Sequence, residues 1–207
     1  MKKMTLEEKI DMLGGTGFAS KPNPRLGIPE LKMTDGPVGV RWEKSTALPA
    51  SIAMAATWDP SLVSNLGRAL ARETKGHGRN VILGPCVNIH REPQGGRNFE
   101  SFGEDPYLAG RMAVAYIRGV QNEGVIATVK HFACNNQEFE RGTISAEVDA
   151  RTLNEIYFPA FRAAVQEAGV WAIMSAYNKI NGLWCSENPT LLTHVLKDRG
   201  GWQEGGW

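Results

Sequence analysis

Short apolar runs alternate with stretches of helical periodicity along most of this 207-residue sequence. Each run is as long as a buried strand, and none alternates cleanly, which is typical of a parallel strand covered on both faces. The order strand, loop, helix, strand predicts an α/β fold with a parallel sheet. The runs are ELKMT (30–34), NVILGP (80–85), VIATVKHF (125–132) and WAIMSAY (171–177). They define about four β/α units, over residues 30–58, 80–123, 125–168 and 171–199.

Three of the predicted helices begin with an Asp or Asn followed by proline. An Asp or Asn side chain caps the first free amides of a helix, and proline at the next position lacks an amide hydrogen that would have no partner there. The pairs are Asp59-Pro60, Asp105-Pro106 and Asn188-Pro189. Apolar residues then recur at helical spacing: Leu62, Leu66 and Leu70 in the first helix, and Leu108, Met112 and Tyr116 in the second.

A further helix is predicted from Asp149 to Gly169. Pro159 lies inside it and is expected to kink it, because proline removes a helical hydrogen bond and clashes with the preceding turn. The apolar face of this helix consists of Leu153, Ile156, Ala160 and Ala164.

The charge balance argues against two kinds of partner. Lys and Arg number 23 against 22 Asp and Glu, so no strong field favours nucleic acid or an anionic membrane surface. No stretch approaches the ~18 apolar residues that a membrane span needs. The N-terminal MKKMTLEEKIDML lacks the apolar segment of a signal peptide, and we therefore expect a cytoplasmic protein.

The cysteines and histidines predict neither a metal site nor another cofactor. The cysteines are odd in number, widely spaced and best interpreted as reduced thiols that pack in the interior: Cys86, Cys134 and Cys185. Metal-ligand spacing is missing around His77, His90 and His194. The glycines of QGGRNFESFG do not form a phosphate-binding loop, because no Lys-Ser/Thr pair follows them.

Polar side chains gather where the predicted strands end. Asp35, Asn88, the pair Lys130-His131 and Tyr177 each follow an apolar run. Ligands bind at the carboxyl ends of the strands both in (β/α) barrels and in open α/β sheets, so we expect these groups to share one pocket. Carboxylate, guanidinium, ammonium and imidazole groups together suit a polyhydroxylated ligand. One reservation concerns Lys130 and His131, because consecutive residues of a strand point to opposite sides.

Five segments, taken in order, resemble consecutive signatures of glycoside hydrolase family 3. They are MTDGPVGVR, GRNFESFGEDPYLAG, ATVKHFACNN, VDARTLNEIYFPAF and IMSAYNKING, and the similarity covers about residues 5–197. The resemblance implies a (β/α)8 barrel of the TIM type, of which about four units are present, followed in the family by a smaller α/β domain. It also implies hydrolysis of a β-linked glucoside or oligosaccharide with retention, through an aspartate nucleophile and a glutamate acid/base.

The resemblance also assigns contacts with the sugar nearest the cleavage point. Asp35 in TDGP matches the carboxylate that holds hydroxyls of this sugar. The other matched positions grip the sugar or line its pocket: Arg41, Arg97, Lys130, His131, Met174 and Tyr177.

The two reacting carboxylates of the family have no counterpart in the sequence. In the family a Ser-Asp-Trp strand end after the segment like LLTHVLK carries the nucleophile, and the acid/base lies farther along. No Ser-Asp-Trp occurs in these 207 residues. We therefore expect residues 1–207 to be the N-terminal portion of the barrel domain, a truncated chain that bears the glycone-binding wall and no catalytic carboxylate.

Two alternatives stay open beside a retaining β-glycosidase. One is a non-catalytic sugar-binding protein. The other is a short hydrolase that uses a different carboxylate pair, drawn from Glu100, Glu104, Glu138 and Glu140. In the segment EDP, a role in capping the helix is the simpler interpretation.

Four strands cannot close a barrel, which needs eight with matched tilt and stagger. We therefore expect the first and fourth strands to expose unpaired backbone groups. Two copies of the chain pairing edge to edge as a homodimer is the arrangement that we favour. The other outcomes are a tail that folds back from Arg199, covering apolar surface with Trp202 and Trp207, and a loosely packed chain.

Overall fold

The computed structural model describes residues 3–198, and a parallel sheet lies at its centre. Its strands in chain order are β1 (Met33–Asp35), β2 (Val81–Leu83), β3 (Ile126–Phe132), β4 (Ser145–Ala146), β5 (Ala172–Ser175), β6 (Lys179–Ile180) and β7 (Leu183–Trp184). The α-helices are α1 (Leu6–Asp11), α2 (Ser51–Ala55), α3 (Pro60–Gly76), α4 (Pro106–Asn122), α5 (Ala150–Thr152) and α6 (Pro159–Gln166). Two further segments, Leu153–Tyr157 and Thr190–Asp198, are π-helices.

The central sheet has the strand order β1-β2-β3-β5, and every neighbouring pair is parallel. Each strand pairs with the strand of the preceding β/α unit, so the order never reverses as it does in a doubly wound sheet. Such a succession is that of an arc of a (β/α) barrel. The predicted α/β fold with four β/α units is thus confirmed. In β2 and β3 the residues of the apolar runs, such as Ile82 and Val129, are buried on both faces, as expected for parallel strands.

The predicted helix starts are confirmed by their capping bonds. Asp59 accepts hydrogen bonds from the amides of Ser61 and Leu62, at 2.9 and 3.1 Å. Asp105 likewise accepts a hydrogen bond from the amide of Leu108, and Asn188 accepts one from the amide of Leu191. Each cap satisfies amides that have no partner within the helix.

The predicted apolar face of α3 was right at Leu70 and at Leu66, which packs against the core, and wrong at Leu62. Leu62 is 42% exposed, whereas Val63 and Leu70 are completely buried. The reason is the close approach of α3 to α4 at Gly67, where an added Cβ would lie 2.7 Å from the carbonyl oxygen of Tyr116. This contact turns the face that contains Val63 and Gly67 towards the core.

The helix predicted from Asp149 is interrupted before Pro159, as expected. Asp149 caps α5 by accepting from Thr152, and the chain then widens into the π-helix over Leu153–Tyr157. The amide of Phe158 donates to the carbonyl of Leu153, five residues earlier, at 2.8 Å. Proline then starts α6, at a position where its missing amide hydrogen does no harm. The disturbance is therefore a π turn followed by a new helix.

The core lies between the sheet and the helices α3, α4 and α6. Its largest completely buried apolar side chains include Tyr116, Phe102, Phe132 and Phe161. The rings of Phe132 and Phe161 meet edge to face with centroids 5.0 Å apart. All three cysteines are buried free thiols, consistent with the predicted packing role.

Two small features flank the sheet and were not predicted. Strands β4, β6 and β7 form a second sheet, in which β6 and β7 are antiparallel around Asn181-Gly182. At the other side, an N-terminal segment runs beside the start of β1: Ala19 pairs with Lys32, and the amide of Met33 donates to Phe18 at 2.8 Å. The prediction that the edge of β1 has unpaired backbone groups is therefore wrong at Met33, where the strand starts. The predicted tail with Trp202 and Trp207 lies outside the described residues.

Candidate active site

The carboxyl ends of β1, β3 and β5 open into one cavity of about 370 Å³. All of the residues that the sequence assigned to a sugar site line this cavity: Asp35, Arg41, Arg97, Lys130, His131, Met174 and Tyr177. Residues as far apart as 35 and 177 meet here because parallel strands deliver their carboxyl ends to the same edge of the sheet. Whether each one touches a ligand stays a prediction.

An ion pair between Lys130 and Asp35 lies at the floor of the cavity. The Nζ of Lys130 donates to Oδ1 of Asp35 at 2.9 Å, and the lysine side chain is only 2% exposed. Arg41 approaches the other carboxylate oxygen at 3.4 Å. Burial opposes ionisation of Asp35, but the charge and hydrogen bond of Lys130, helped by Arg41, lower the pKa of this carboxyl below its usual value. Asp35 is therefore ionised and can accept hydrogen bonds from neighbouring hydroxyls.

Arg97 is held by carboxylates on the adjoining wall. It donates to the carboxylate of Glu100, which is 4% exposed, and its second terminal nitrogen lies 3.9 Å from Glu138. Glu138 in turn accepts from Arg141 at 2.7 Å. The guanidinium is thus fixed in place with part of its donor set left for a ligand.

The four glutamates considered as an alternative catalytic pair are Glu100, Glu104, Glu138 and Glu140. Within residues 3–198, no two of them lie together at the cavity without an ion pair. Glu100 and Glu138 are each held in an ion pair with an arginine. Glu104 and Glu140 are exposed and lie outside the cavity lining. Next to Glu104, Asp105 serves as the cap of α4, as the sequence indicated.

His131 reaches the same cavity as Lys130, although the two are consecutive. The pairing of β3 with β5 shifts register between Lys130 and Phe132, which interrupts the strict alternation of side chains there. The ring is 5% exposed. Burial, followed by the positive charges of Lys130, Arg97 and Arg141, lowers the pKa of His131 to about 3, although Asp35 acts in the opposite direction. The imidazole is therefore neutral at physiological pH.

The cavity also contains residues that sequence reasoning missed. They are Phe18, Leu83, Phe99 and Arg141, together with Glu100, which the sequence offered only as an alternative acid. Phe18 precedes the first strand and Arg141 lies in the long segment after β3, so no strand-end position indicated either residue. Arg141 lies over the ring of Tyr177 at 5.2 Å, which orients a tyrosine that is itself 66% exposed.

The described residues contain no group of His, Cys, Asp or Glu that could hold a metal ion. Within the same residues, no helix combines the length and the apolar character needed to cross a membrane. The lining of the cavity itself consists mainly of charged donors, charged acceptors and aromatic side chains. Such a lining is suited to a compact polar ligand with several hydroxyls.

Comparison with known proteins agrees with this geometry. A family model described as the glycosyl hydrolase family 3 N terminal domain matches residues 5–205. The chain is 51% identical to a beta-glucosidase of Rhizobium radiobacter, over 97% of this chain and 26% of the relative. It is 47% identical to thermostable beta-glucosidase B of Acetivibrio thermocellus, over 100% of this chain and 29% of the relative.

Solved structures show the same architecture. The beta-glucosidase 3B of Thermotoga neapolitana, determined in complex with alpha-D-glucose, is 39% identical with a TM-score of 0.92, over 97% of this chain and 32% of that one. A GH3 beta-glucosidase of Bifidobacterium adolescentis is 44% identical with a TM-score of 0.94, over 98% of this chain and 30% of that one. The likeness confirms the partial (β/α)8 barrel. The chain spans between 26% and 32% of the length of these relatives.

Proposed function

The chain belongs to glycosyl hydrolase family 3, and from this premise we propose that it forms the glucose-gripping wall of a retaining β-glucosidase. The proposed substrate is a glucoside or oligosaccharide with a terminal β-D-glucosyl residue. The observation that carries the proposal is the buried Lys130 ammonium, which holds Asp35 ionised in the lining of a cavity of about 370 Å³.

Three polar groups of the cavity have a defined task in this proposal. The carboxylate of Asp35 accepts from two neighbouring sugar hydroxyls, and Arg97 and Lys130 donate to sugar oxygens. Phe18 and Phe99 supply apolar walls, as in most small-ligand sites. Because the charges are already paired before the sugar arrives, little reorganisation is needed on binding.

The reacting carboxylates are proposed to come from outside residues 3–198. A retaining mechanism needs two carboxyl groups about 5 Å apart, one of them a proton donor. Asp35, Glu100 and Glu138 are the acidic residues that line this cavity or pair with its arginines, and each is engaged by a cation. These residues therefore suit sugar binding better than bond cleavage. We propose that residues 1–207 are the N-terminal portion of the barrel domain in a longer enzyme.

A non-catalytic sugar-binding protein is the second candidate function. It is favoured by the same pairing of every carboxylate at the cavity.

A homodimer is proposed as well, since β5 pairs with β3 on one side only within the described residues. In that arrangement the outer edge of β5 meets its equivalent in a second copy.

Glucose binding and glucoside hydrolysis by the purified chain test the proposal together. We expect calorimetry to detect glucose, and hydrolysis of 4-nitrophenyl β-D-glucoside to be about 10⁴-fold or more below an intact enzyme. Asp35→Ala should weaken glucose binding by about 1.5–3 kcal/mol, the range for hydrogen bonds with a charged partner.

Asp59→Ala is the matched control. It removes an exposed aspartate that caps α3, so it should lower stability by about 1 kcal/mol and leave glucose affinity unchanged. A folded chain that does not bind glucose would contradict the proposal. Turnover of about 1–10³ per second would instead establish a short hydrolase with its own carboxylate pair.

A further inference from the structure

The side chain of Asn88 contacts His131 at three separate atoms. Its Nδ2 donates to the carbonyl oxygen of His131 at 3.2 Å, and its Oδ1 accepts from the His131 amide at 3.3 Å. The same Oδ1 lies 2.8 Å from ring atom Nδ1. Asn88 is buried and follows β2, so these contacts join the segment after β2 to the end of β3, where His131 lines the cavity.

The two backbone contacts settle which way the amide of Asn88 points. A backbone N–H only donates and a carbonyl only accepts, so a flipped amide would place donor against donor and acceptor against acceptor. The atom facing the imidazole is therefore an oxygen. An oxygen at 2.8 Å requires a proton on Nδ1, because the other tautomer would set two lone pairs against each other.

Neighbouring groups reinforce this assignment. Cys86 is the other group near Nδ1, at 3.8 Å, and its thiol donates to the same Oδ1 of Asn88 at 3.1 Å. The thiol of Cys86 accepts from Ser101 at 2.9 Å, which leaves its own hydrogen for Asn88. The thiol hydrogen of Cys86, the hydroxyl hydrogen of Ser101 and the Nδ1 hydrogen of His131 then each have an acceptor.

We propose that Asn88 is a positioning residue that holds His131 as the neutral Nδ1–H tautomer, so that Nε2 accepts a hydrogen bond from a sugar hydroxyl. The second half of this inference rests on the proposed function. Lys130 and the arginines around the cavity can only donate. His131 therefore joins Asp35 as an acceptor, and unlike Asp35 it does so without a charge.

Nuclear magnetic resonance reads the tautomer directly, with no sugar present. In the ¹⁵N-labelled chain, long-range proton–nitrogen correlations distinguish a protonated from an unprotonated ring nitrogen, and loss of the signals in His131→Gln assigns them. We expect a protonated Nδ1 and a bare Nε2 near neutral pH. A protonated Nε2 in the wild-type chain overturns the proposal, whatever the variants do.

Two substitutions of Asn88 should give opposite results. Asn88→Asp keeps an oxygen opposite Nδ1 and should keep the tautomer. Asn88→Leu removes the acceptor, so the Nδ1–H form should lose its predominance and glucose should bind about 3- to 10-fold more weakly, the value of one hydrogen bond.

Asn178→Leu is the matched control. Asn178 is also buried and donates from Nδ2 to the carbonyl of Ala133 at 3.2 Å, but within residues 3–198 its hydrogen bonds do not include one to His131. Its loss should lower stability without changing the tautomer. An unchanged tautomer in Asn88→Leu contradicts the inference. Failure of the wild-type chain to bind glucose contradicts the proposed function, and the tautomer is still decided by the spectra.

Discussion

At the scale of single residues, the site is dominated by charges that are paired before a ligand arrives. Lys130 illustrates the point: its ammonium is 2% exposed, bonds Asp35 at 2.9 Å and lies 3.9 Å from Glu100. Strand-end positions predicted the first two of these residues, because the carboxyl ends of parallel strands converge. Glu100 could not be assigned in the same way, since it lies in a loop whose path depends on tertiary contacts.

Removing Lys130 should take the buried cation away from Asp35 and Glu100 and leave them with Arg41 and Arg97. We expect Lys130→Met to lower the free energy of unfolding by about 3 kcal/mol, the lower end for a broken buried pair, because Asp35 stays partly exposed. The pKa of Asp35 is lowered in the folded state, so the stabilisation from its ion pair is complete above the unfolded pKa and disappears as pH falls through the folded pKa. Urea unfolding should therefore show a difference in the free energy of unfolding between wild type and variant, and this difference should disappear in acid. A difference independent of pH would contradict this assignment.

His131 should make the chain sensitive to mild acid. Its pKa is about 3 in the folded state and about 6.5 when unfolded, so between these values the unfolded chain binds more protons. Stability then falls as the pH is lowered, by up to about 1.4 kcal/mol per pH unit. His131→Gln removes this dependence, and the wild type should lose about 2 kcal/mol relative to the variant between pH 7 and pH 5. If the free energies of unfolding of wild type and His131→Gln change with pH in parallel, the predicted role of His131 in acid sensitivity is wrong.

At the scale of elements, local signals were predictable and long-range packing was not. Asp59 and Asp105 marked helix starts because a cap acts within one turn of its own helix. Leu62 was wrongly placed on the buried face of α3 because Gly67, through its contact with α4, turns the side of Val63 inward instead. The hairpin of β6 and β7 carries an Asn-Gly signal at its turn, but strands of two residues show no periodicity beside it.

Two glycines of α3 provide a test of this packing. An added Cβ at Gly67 would meet backbone atoms of α4 at 2.7 Å, so Gly67→Ala should lower the free energy of unfolding by about 1–3 kcal/mol. Gly76 lies in the last turn of the same helix, where an added Cβ would meet nothing within 4 Å, and Gly76→Ala should stabilise by about 0.5–1 kcal/mol. Thermal unfolding compares the pair. Equal changes of Tm in the two variants would show that α3 and α4 do not approach each other at Gly67.

At the scale of the whole molecule, the central sheet has two ends of different character. The segment containing Phe18 and Ala19 covers the start of β1, while β5 pairs only with β3 among the described residues. The parallel α/β sheet was predictable from the alternation of apolar runs and helices, and the barrel was implied by the resemblance to glycoside hydrolase family 3. The covering segment was not, because residues 15–20 contain no strand-like pattern and pair through isolated bridges.

The purified chain should associate through the edge that β5 presents. We expect sedimentation to show a concentration-dependent dimer of the 22.7 kDa chain, with near-ultraviolet circular dichroism reporting ordered aromatic side chains. Ser175→Pro places a residue without an amide hydrogen in β5 and should weaken the association. A compact monomer at every concentration, with cooperative unfolding, would show that this edge needs no partner.

The unbroken strand order has a consequence for how the protein is made. Each strand of the central sheet after β1 pairs with one that precedes it in the chain, since β2 joins β1, β3 joins β2 and β5 joins β3. A ribosome synthesises the chain from the N-terminus, so each of these three strands leaves the exit tunnel after its first neighbour has already emerged. The sheet can therefore form strand by strand during translation. No early strand depends on a segment synthesised much later for its first pairing partner in the sheet.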